Sequence, residues 1–170
     1  MFVEGTETDS NIALIDEGYD IDQVKMMSEE VILVDRNDIV VGSMSKVDAH
    51  RGDGVLHRAF SILLFDEEDR LLIQKRADHK ITFPGVWANT VCSHPLSDSE
   101  ELNHTNPVLG SKLAAQRKMH QELGIDVGTI STEDIHCITR MMYRARADDL
   151  WVEHEFDHLL FARDPPMMKI

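Results

Sequence analysis

Short apolar runs broken by polar clusters make up most of this chain, and one segment alone carries both a helix start and a helix stop. Val31-Ile32-Leu33-Val34 is closed by Asp35-Arg36-Asn37-Asp38 and followed by Ile39-Val40-Val41, the pattern of two short strands joined by a turn. His57 to Phe65 and Arg70 to Arg76 flank Asp66-Glu67-Glu68-Asp69 and predict a second hairpin. Thr82-Phe83-Pro84-Gly85-Val86-Trp87 then interrupts regular structure with a shaped loop. Asn106-Pro107 opens the well-marked helix, since Asn suits the cap and Pro the first turn, and Gly124 stops it just past Leu123. Cys137 to Ala145 and Trp151 to Phe161 predict two more strands. Ahead of the first strand, residues 1–22 are acidic without a sustained apolar period and read as a flexible arm, with a short helix over Asp22–Glu30. Strands interleaved with one long helix predict a single α/β or α+β domain over residues 23–170.

Composition narrows the class. A length of 170 residues suffices for one domain with a real core, and 42% hydrophobic with 28% charged residues places the chain among folded proteins. No apolar run approaches bilayer length and no basic segment leads into an apolar one, so no membrane partner is expected and the setting expected is cytoplasmic. Cys92 and Cys137 are too few for a disulfide framework, which points to a reducing compartment. A net charge of −14 argues against a nucleic-acid partner. It also sets a condition: if the ligand is an anion, cations must be concentrated locally or a metal must invert the field.

Within Trp151-Val152-Glu153-His154-Glu155-Phe156-Asp157, strand alternation turns Glu153, Glu155 and Asp157 to one face. Like charges there repel unless a cation sits among them or a proton is taken up. A solvated strand face is the plain alternative, although Leu159, Leu160 and Phe161 suggest a strand entering a core. His50, His57 and His94 each read alone as packed or surface residues; together with carboxylates they form a candidate divalent-metal site. Cys92 is either an inert buried thiol or, with a cation nearby, an acid–base group of lowered pKa. Lys118 and Glu122 stack four apart on the helix, in the order that contributes little as a surface pair. Lys46, Arg76 and Lys80 join Lys118 as a sparse basic ring for a phosphate, while each alone reads as solvated surface.

In this order, Lys46…His50…His57-Arg58-Ala59-Phe60, Arg76…Lys80…Phe83-Pro84-Gly85 and Asn89-Thr90-Val91-Cys92-Ser93-His94-Pro95 resemble type I isopentenyl diphosphate isomerases. So do Ala115-Gln116-Arg117-Lys118…Glu122-Leu123-Gly124 and Trp151…Glu153-His154-Glu155. The resemblance runs from about Met27 to Phe161. It implies a Nudix-type mixed β-sheet packed between helices, and interconversion of isopentenyl and dimethylallyl diphosphate in isoprenoid biosynthesis. It implies Cys92 and Glu155 as the catalytic pair, with Tyr143 supporting the glutamate. His50, His57, His94, Glu153 and Glu155 would hold one divalent metal (Mg, Mn or Zn), and Glu122 would help hold Mg²⁺ against the diphosphate. Lys46, Arg76, Lys80, Lys118 and Ser93 would bind that diphosphate. Phe83, Trp87, Tyr143 and Trp151 are candidates for an aromatic face over the carbocation. The partner implied is a small-molecule diphosphate, met by a monomer or weak homodimer.

Two departures matter. The helix resembles a decayed Nudix box: Arg117 and Glu122-Leu123-Gly124-Ile125 fit its end, but Leu109, Lys118 and Gln121 stand where the hydrolase pattern has Glu. The residues after Phe161 do not resemble the family's continuation, in which a strand and helices follow. The expectation is therefore a shortened isomerase. A non-catalytic metal-binding or regulatory form is the alternative, and a Nudix diphosphate hydrolase a third.

Overall fold

The computed structural model describes residues 18, 19 and 21–163, so most of the expected arm over residues 1–22 and the tail 164–170 lie outside it. Strand β1 (Glu30–Val34) and strand β2 (Val40–Ser45) pair antiparallel, as the apolar runs predict. Their turn is closed by Asp35, whose Oδ1 accepts from the backbone of Asn37 at 2.8 Å and Ile39 at 2.9 Å. The predicted helix before them is shorter than expected: α1 covers Ile21–Met27, and Glu30 already pairs with Ser45 in the sheet.

Strand β3 (His57–Phe65) is the spine of the molecule and has the bounds its apolar pattern predicts. It runs parallel to β8 (Val152–Arg163), which pairs antiparallel with the edge strand β7 (His136–Arg146). The main sheet thus has the order β2-β1-β3-β8-β7, a mixed sheet. The second hairpin forms only its turn. Asp66 Oδ1 accepts from the Arg70 backbone at 2.8 Å, and Leu72 N reaches Leu64 O at 2.9 Å. The return strand then leaves, because β6 (Val91–Ser93) occupies that edge of β3 at Phe60–Ile62. Displaced, β4 (Gln74–Lys75) pairs instead with β5 (Trp87–Ala88).

The long helix α3 (Pro107–Leu123) starts and stops as predicted, with Asn106 Oδ1 accepting from Leu109 N at 3.2 Å and Gly124 left-handed at φ 70°. It buries Ala114, Ala115 and Met119 against Phe60, Ile62, Leu64, Leu160 and Ala162. Each large apolar side chain so covered contributes roughly 1.5–3 kcal/mol. Gly110 is required here, because a Cβ would collide with the Glu101 carbonyl oxygen. On the same side lies a buried polar pin. Asp38 accepts from Arg58 Nε at 2.7 Å and lies 2.9 Å from His158 Nε2, and Ser111 Oγ lies 2.8 Å from His158 Nδ1. Burial pushes the Asp38 carboxyl up, but His158 and Arg58 outweigh it and hold it below the usual range.

Between β2 and β3 lies a five-residue helix that the apolar pattern does not announce, α2 (Lys46–His50). Ser45 caps it, accepting from Asp48 N at 3.2 Å. Val24, Met27, Val47, Ile81 and Trp151 form a second cluster that docks α1 and α2 on the sheet face opposite α3. No helix among the described residues is long and apolar enough to cross a membrane.

Candidate active and metal site

Strand register builds the site. The parallel ladder sets His57 beside Glu155, and the antiparallel ladders set Tyr143 beside Glu155 and Cys92 beside Ser61. Side chains directly opposite one another share a face, so all of these look away from α3. Two further histidines close in from outside the main ladder, His50 from the end of α2 and His94 from just past β6. The three imidazole centroids lie 4.6, 4.8 and 5.0 Å apart. One ligand atom each from His50, His57, His94 and Glu155 all fall within 4.8 Å of one another.

Hydrogen bonds orient the rings. His50 Nδ1 lies 2.8 Å from Lys46 O and His57 Nδ1 lies 2.7 Å from Val55 O. A carbonyl only accepts, so Nδ1 carries the proton in both rings and Nε2 is left with its lone pair. His57 Nε2 is buried without a hydrogen-bond partner, and His94 Nε2 lies 2.9 Å from Glu155 Oε1. Burial holds all three imidazoles below their usual range. At His50 the nearby His94 and His57 add to it; at His57 the Glu155 carboxylate opposes it. Three neutral imidazoles and a carboxylate, with His57 Nε2 and His94 Nδ1 left without partners, are a donor set that fits a divalent ion.

Glu153 stands outside this group of four. It is half-buried two positions along β8, where Tyr143 Oη reaches Glu155 Oε2 at 2.5 Å and Glu153 Oε2 at 3.4 Å. Burial and the Glu155 charge push Glu153 up to about 7, and burial also raises Glu155. Burial and the two carboxylates raise the Tyr143 phenol as well, so it keeps its proton and donates it to Glu155 Oε2, the nearer acceptor.

Cys92 faces this ladder. Arg76 Nη1 lies 3.8 Å from its sulfur, the nearby cation that the sequence led one to expect. Its effect is overruled: burial, helped by Glu155, Glu153 and Glu122, pushes the Cys92 thiol up to about 11. The expectation of a lowered pKa is therefore corrected.

One cleft joins these groups to Lys46, Arg76, Lys80, Ser93, Lys118 and Glu122. Lys118 is only 4% exposed, so its pairing with Glu122 at 3.5 Å is no routine surface contact. Burial pulls Lys118 down, and pulls Lys46 down to about 8 with Lys118 adding to the effect. Burial raises Glu122, but Lys80, Gln74 and Lys118 together hold it below its usual value. Arg76 is gripped by its own loop, donating from Nη2 to Thr82 O at 2.7 Å and from Nε to Phe83 O at 3.0 Å. Phe83 takes φ +47° there, a left-handed conformation that a bulky residue adopts only under constraint. Four cations gathered in one cleft answer the question raised by the acidic total.

Sequence reasoning missed the rest of the lining. Gln23, Met26 and Met27 enter from α1, and Ile81 and Thr82 from the loop. The spacing of Val24 and Met27 marks one apolar face of α1 but does not say what it docks on. Of the aromatic candidates, only Tyr143 lines the cleft. Trp151 is fully buried beneath Arg51, whose Cζ lies 5.1 Å from the ring centroid, and Trp87 is 67% exposed on β5.

The sequence pattern of the NUDIX domain matches residues 55–169. The chain belongs to the Nudix family. This Nudix chain is 46% identical over 145 residues to "Isopentenyl-diphosphate Delta-isomerase 1" of Bos taurus, across 83% of the chain and 63% of that protein. It is 46% identical over 149 residues to "Isopentenyl-diphosphate delta-isomerase" of Schizosaccharomyces pombe, across 84% and 65%. With "Isopentenyl-diphosphate Delta-isomerase I, chloroplastic" of Arabidopsis thaliana it shares 47% over 162 residues, across 92% and 54%. The chain thus spans less than two thirds of the length of each. The crystal structure of DR0079 from Deinococcus radiodurans superposes with a TM-score of 0.56 at 19% identity, covering 82% of this chain and 74% of that one; it supports the fold alone.

Proposed function

We propose that the chain carries the catalytic domain of an isopentenyl diphosphate isomerase, which moves a double bond by adding one proton and removing another. The observation that carries this reading is the placing of Cys92, Glu155 and Tyr143 on one sheet face, beside a wall of four cations. Adding a proton to the terminal methylene of isopentenyl diphosphate leaves a tertiary carbocation. Loss of a proton from the neighbouring C2 then gives dimethylallyl diphosphate. Cys92 and Glu155 hold the two protons, and which gives and which takes reverses with the direction of reaction.

Tyr143 orients the Glu155 carboxyl through its hydroxyl. Met26, Met27 and Ile81 form an apolar wall that limits water at the cation. Lys46, Arg76, Lys80, Lys118 and the Ser93 hydroxyl bind the diphosphate, and Glu122 would share a Mg²⁺ with it. A divalent ion (Mg, Mn or Zn) held by His50, His57, His94 and Glu155, with Glu153 adjacent, would fix the Glu155 geometry and set its proton affinity. Hydrolysis is disfavoured because the buried Lys118 puts an ammonium where the Nudix hydrolase pattern has a carboxylate. A cytoplasmic setting is part of the proposal, supported by two unpaired thiols.

Proton NMR of isopentenyl diphosphate with the protein and Mg²⁺ in D₂O tests this. Deuterated dimethylallyl diphosphate should appear, and Cys92→Ala and Glu155→Gln should each abolish it while the fold persists. Release of inorganic phosphate, or normal turnover by either variant, would overturn the assignment.

A further inference from the structure

Gln74 lies on the two-residue strand β4, in no pattern that marked the site. Its Nε2 is 2.9 Å from the Thr90 carbonyl oxygen and 2.9 Å from Glu122 Oε2. Both partners accept only, so the NH₂ end of the amide must face them, and the orientation follows from the chemistry. Thr90 is a firm anchor. It is fully buried, and its hydroxyl donates to Leu72 O at 2.7 Å and accepts from Leu64 N at 2.9 Å. Gln74 therefore ties Glu122 to the edge of the central strand.

With Oε2 engaged, Glu122 presents Oε1 to Lys80 at 3.4 Å and to Lys118 at 3.5 Å. Those two cations come from different elements, the loop after β4 and the helix α3, and they repel one another. One carboxylate oxygen between them holds them side by side. A carboxylate free to rotate would not fix that spacing.

We propose that Gln74 is a positioning residue, which sets the spacing of Lys80 and Lys118 by holding the Glu122 carboxylate and so shapes the cradle for a diphosphate. The inference rests on the diphosphate reading of the cleft, but not on isomerisation. Gln74→Met keeps the length of the side chain and removes its donor. Gln74→Glu keeps its shape, removes the donor and adds a like charge, and serves as a second variant.

The experiment is calorimetric titration of inorganic pyrophosphate, in excess Mg²⁺, into the unsubstituted protein, Gln74→Met, Glu122→Ala and the double variant, with Gln74→Glu in parallel. Gln74→Met should weaken binding about tenfold, as expected for a lost hydrogen bond to a charged group. Gln74→Glu should weaken it at least as much. Gln74→Met should not weaken binding further once Glu122 is gone, because Gln74 acts through it. Equal losses in both backgrounds would show that Gln74 acts independently, and no loss in either would show that it does not act; both overturn the proposal. Absence of pyrophosphate binding by the unsubstituted protein would instead overturn the diphosphate reading itself.

Discussion

Strands β3 and β8 carry a buried polar cluster on each of their two faces, and the clusters differ in how they are satisfied. Toward α3, Asp38, Arg58, His158 and Ser111 match every carboxylate oxygen, imidazole nitrogen and hydroxyl among them, leaving only Arg58 Nη1 without a partner. Toward the cleft, His57 Nε2, His94 Nδ1 and Asp157 Oδ1 are buried and unmatched. Burying a polar group without a partner costs free energy, so a fold has no reason to leave the His57 and His94 nitrogens unmatched side by side for its own sake. The first cluster holds the fold together. The second is complete only with something bound.

That contrast can be broken from either side. The largest effect is expected on the satisfied face. Asp38→Ala strands a fully buried Arg58 and should cost about 3–5 kcal/mol in urea unfolding, whatever metal is present. On the cleft face stability should follow the ion. A divalent cation at roughly a hundred times its Kd should add about 2.7 kcal/mol in a thermal melt, and EDTA or His57→Ala should abolish that gain. Equal melts with and without metal would undo the contrast.

A pH series sharpens it further. Burial, with Glu155 adding, lifts Asp157 from an ordinary 3.8 to about 7. Its neutral form is the one the fold favours. The metal-free protein should be most stable below about pH 4 on this account and lose stability as pH rises toward 7. Asp157→Asn should flatten that fall, and an unchanged slope would count against the assignment. The smallest effect is expected from Ser45→Ala, which removes the cap of α2. It should cost about 1 kcal/mol of stability and also weaken metal binding, because His50 ends that helix.

Local signals carried much of the fold. The bounds of β3 and the Asn106 and Gly124 ends of α3 follow from apolar runs and caps, which act over a few residues. The five-residue α2 escaped these signals, because it is too short to show an apolar period and its cap, Ser45, became evident only in the fold. What was not legible depends on competition between distant segments. Nothing in Arg70 to Arg76 says that β6 will take the edge those residues would otherwise extend. The same holds in the site. Strand alternation put Glu153 and Glu155 on one face, yet only the folded ladders bring Glu155 among the histidines and leave Glu153 outside their group. The thiol of Cys92 went the other way from expectation because burial depends on packing, which a motif does not encode.

The parallel pairing of β3 with β8 has a consequence for the making of the protein. His57 and Glu155 are neighbours in space but about a hundred residues apart along the chain. During synthesis the three histidines and Cys92 leave the ribosome well before the carboxylate that joins them. Until β8 docks, a nascent chain offers an ion three imidazoles and no enforced geometry. Acquisition of the complete donor set is therefore a late event, and it reports that a non-local parallel ladder, a kind of pairing that forms slowly, is in register.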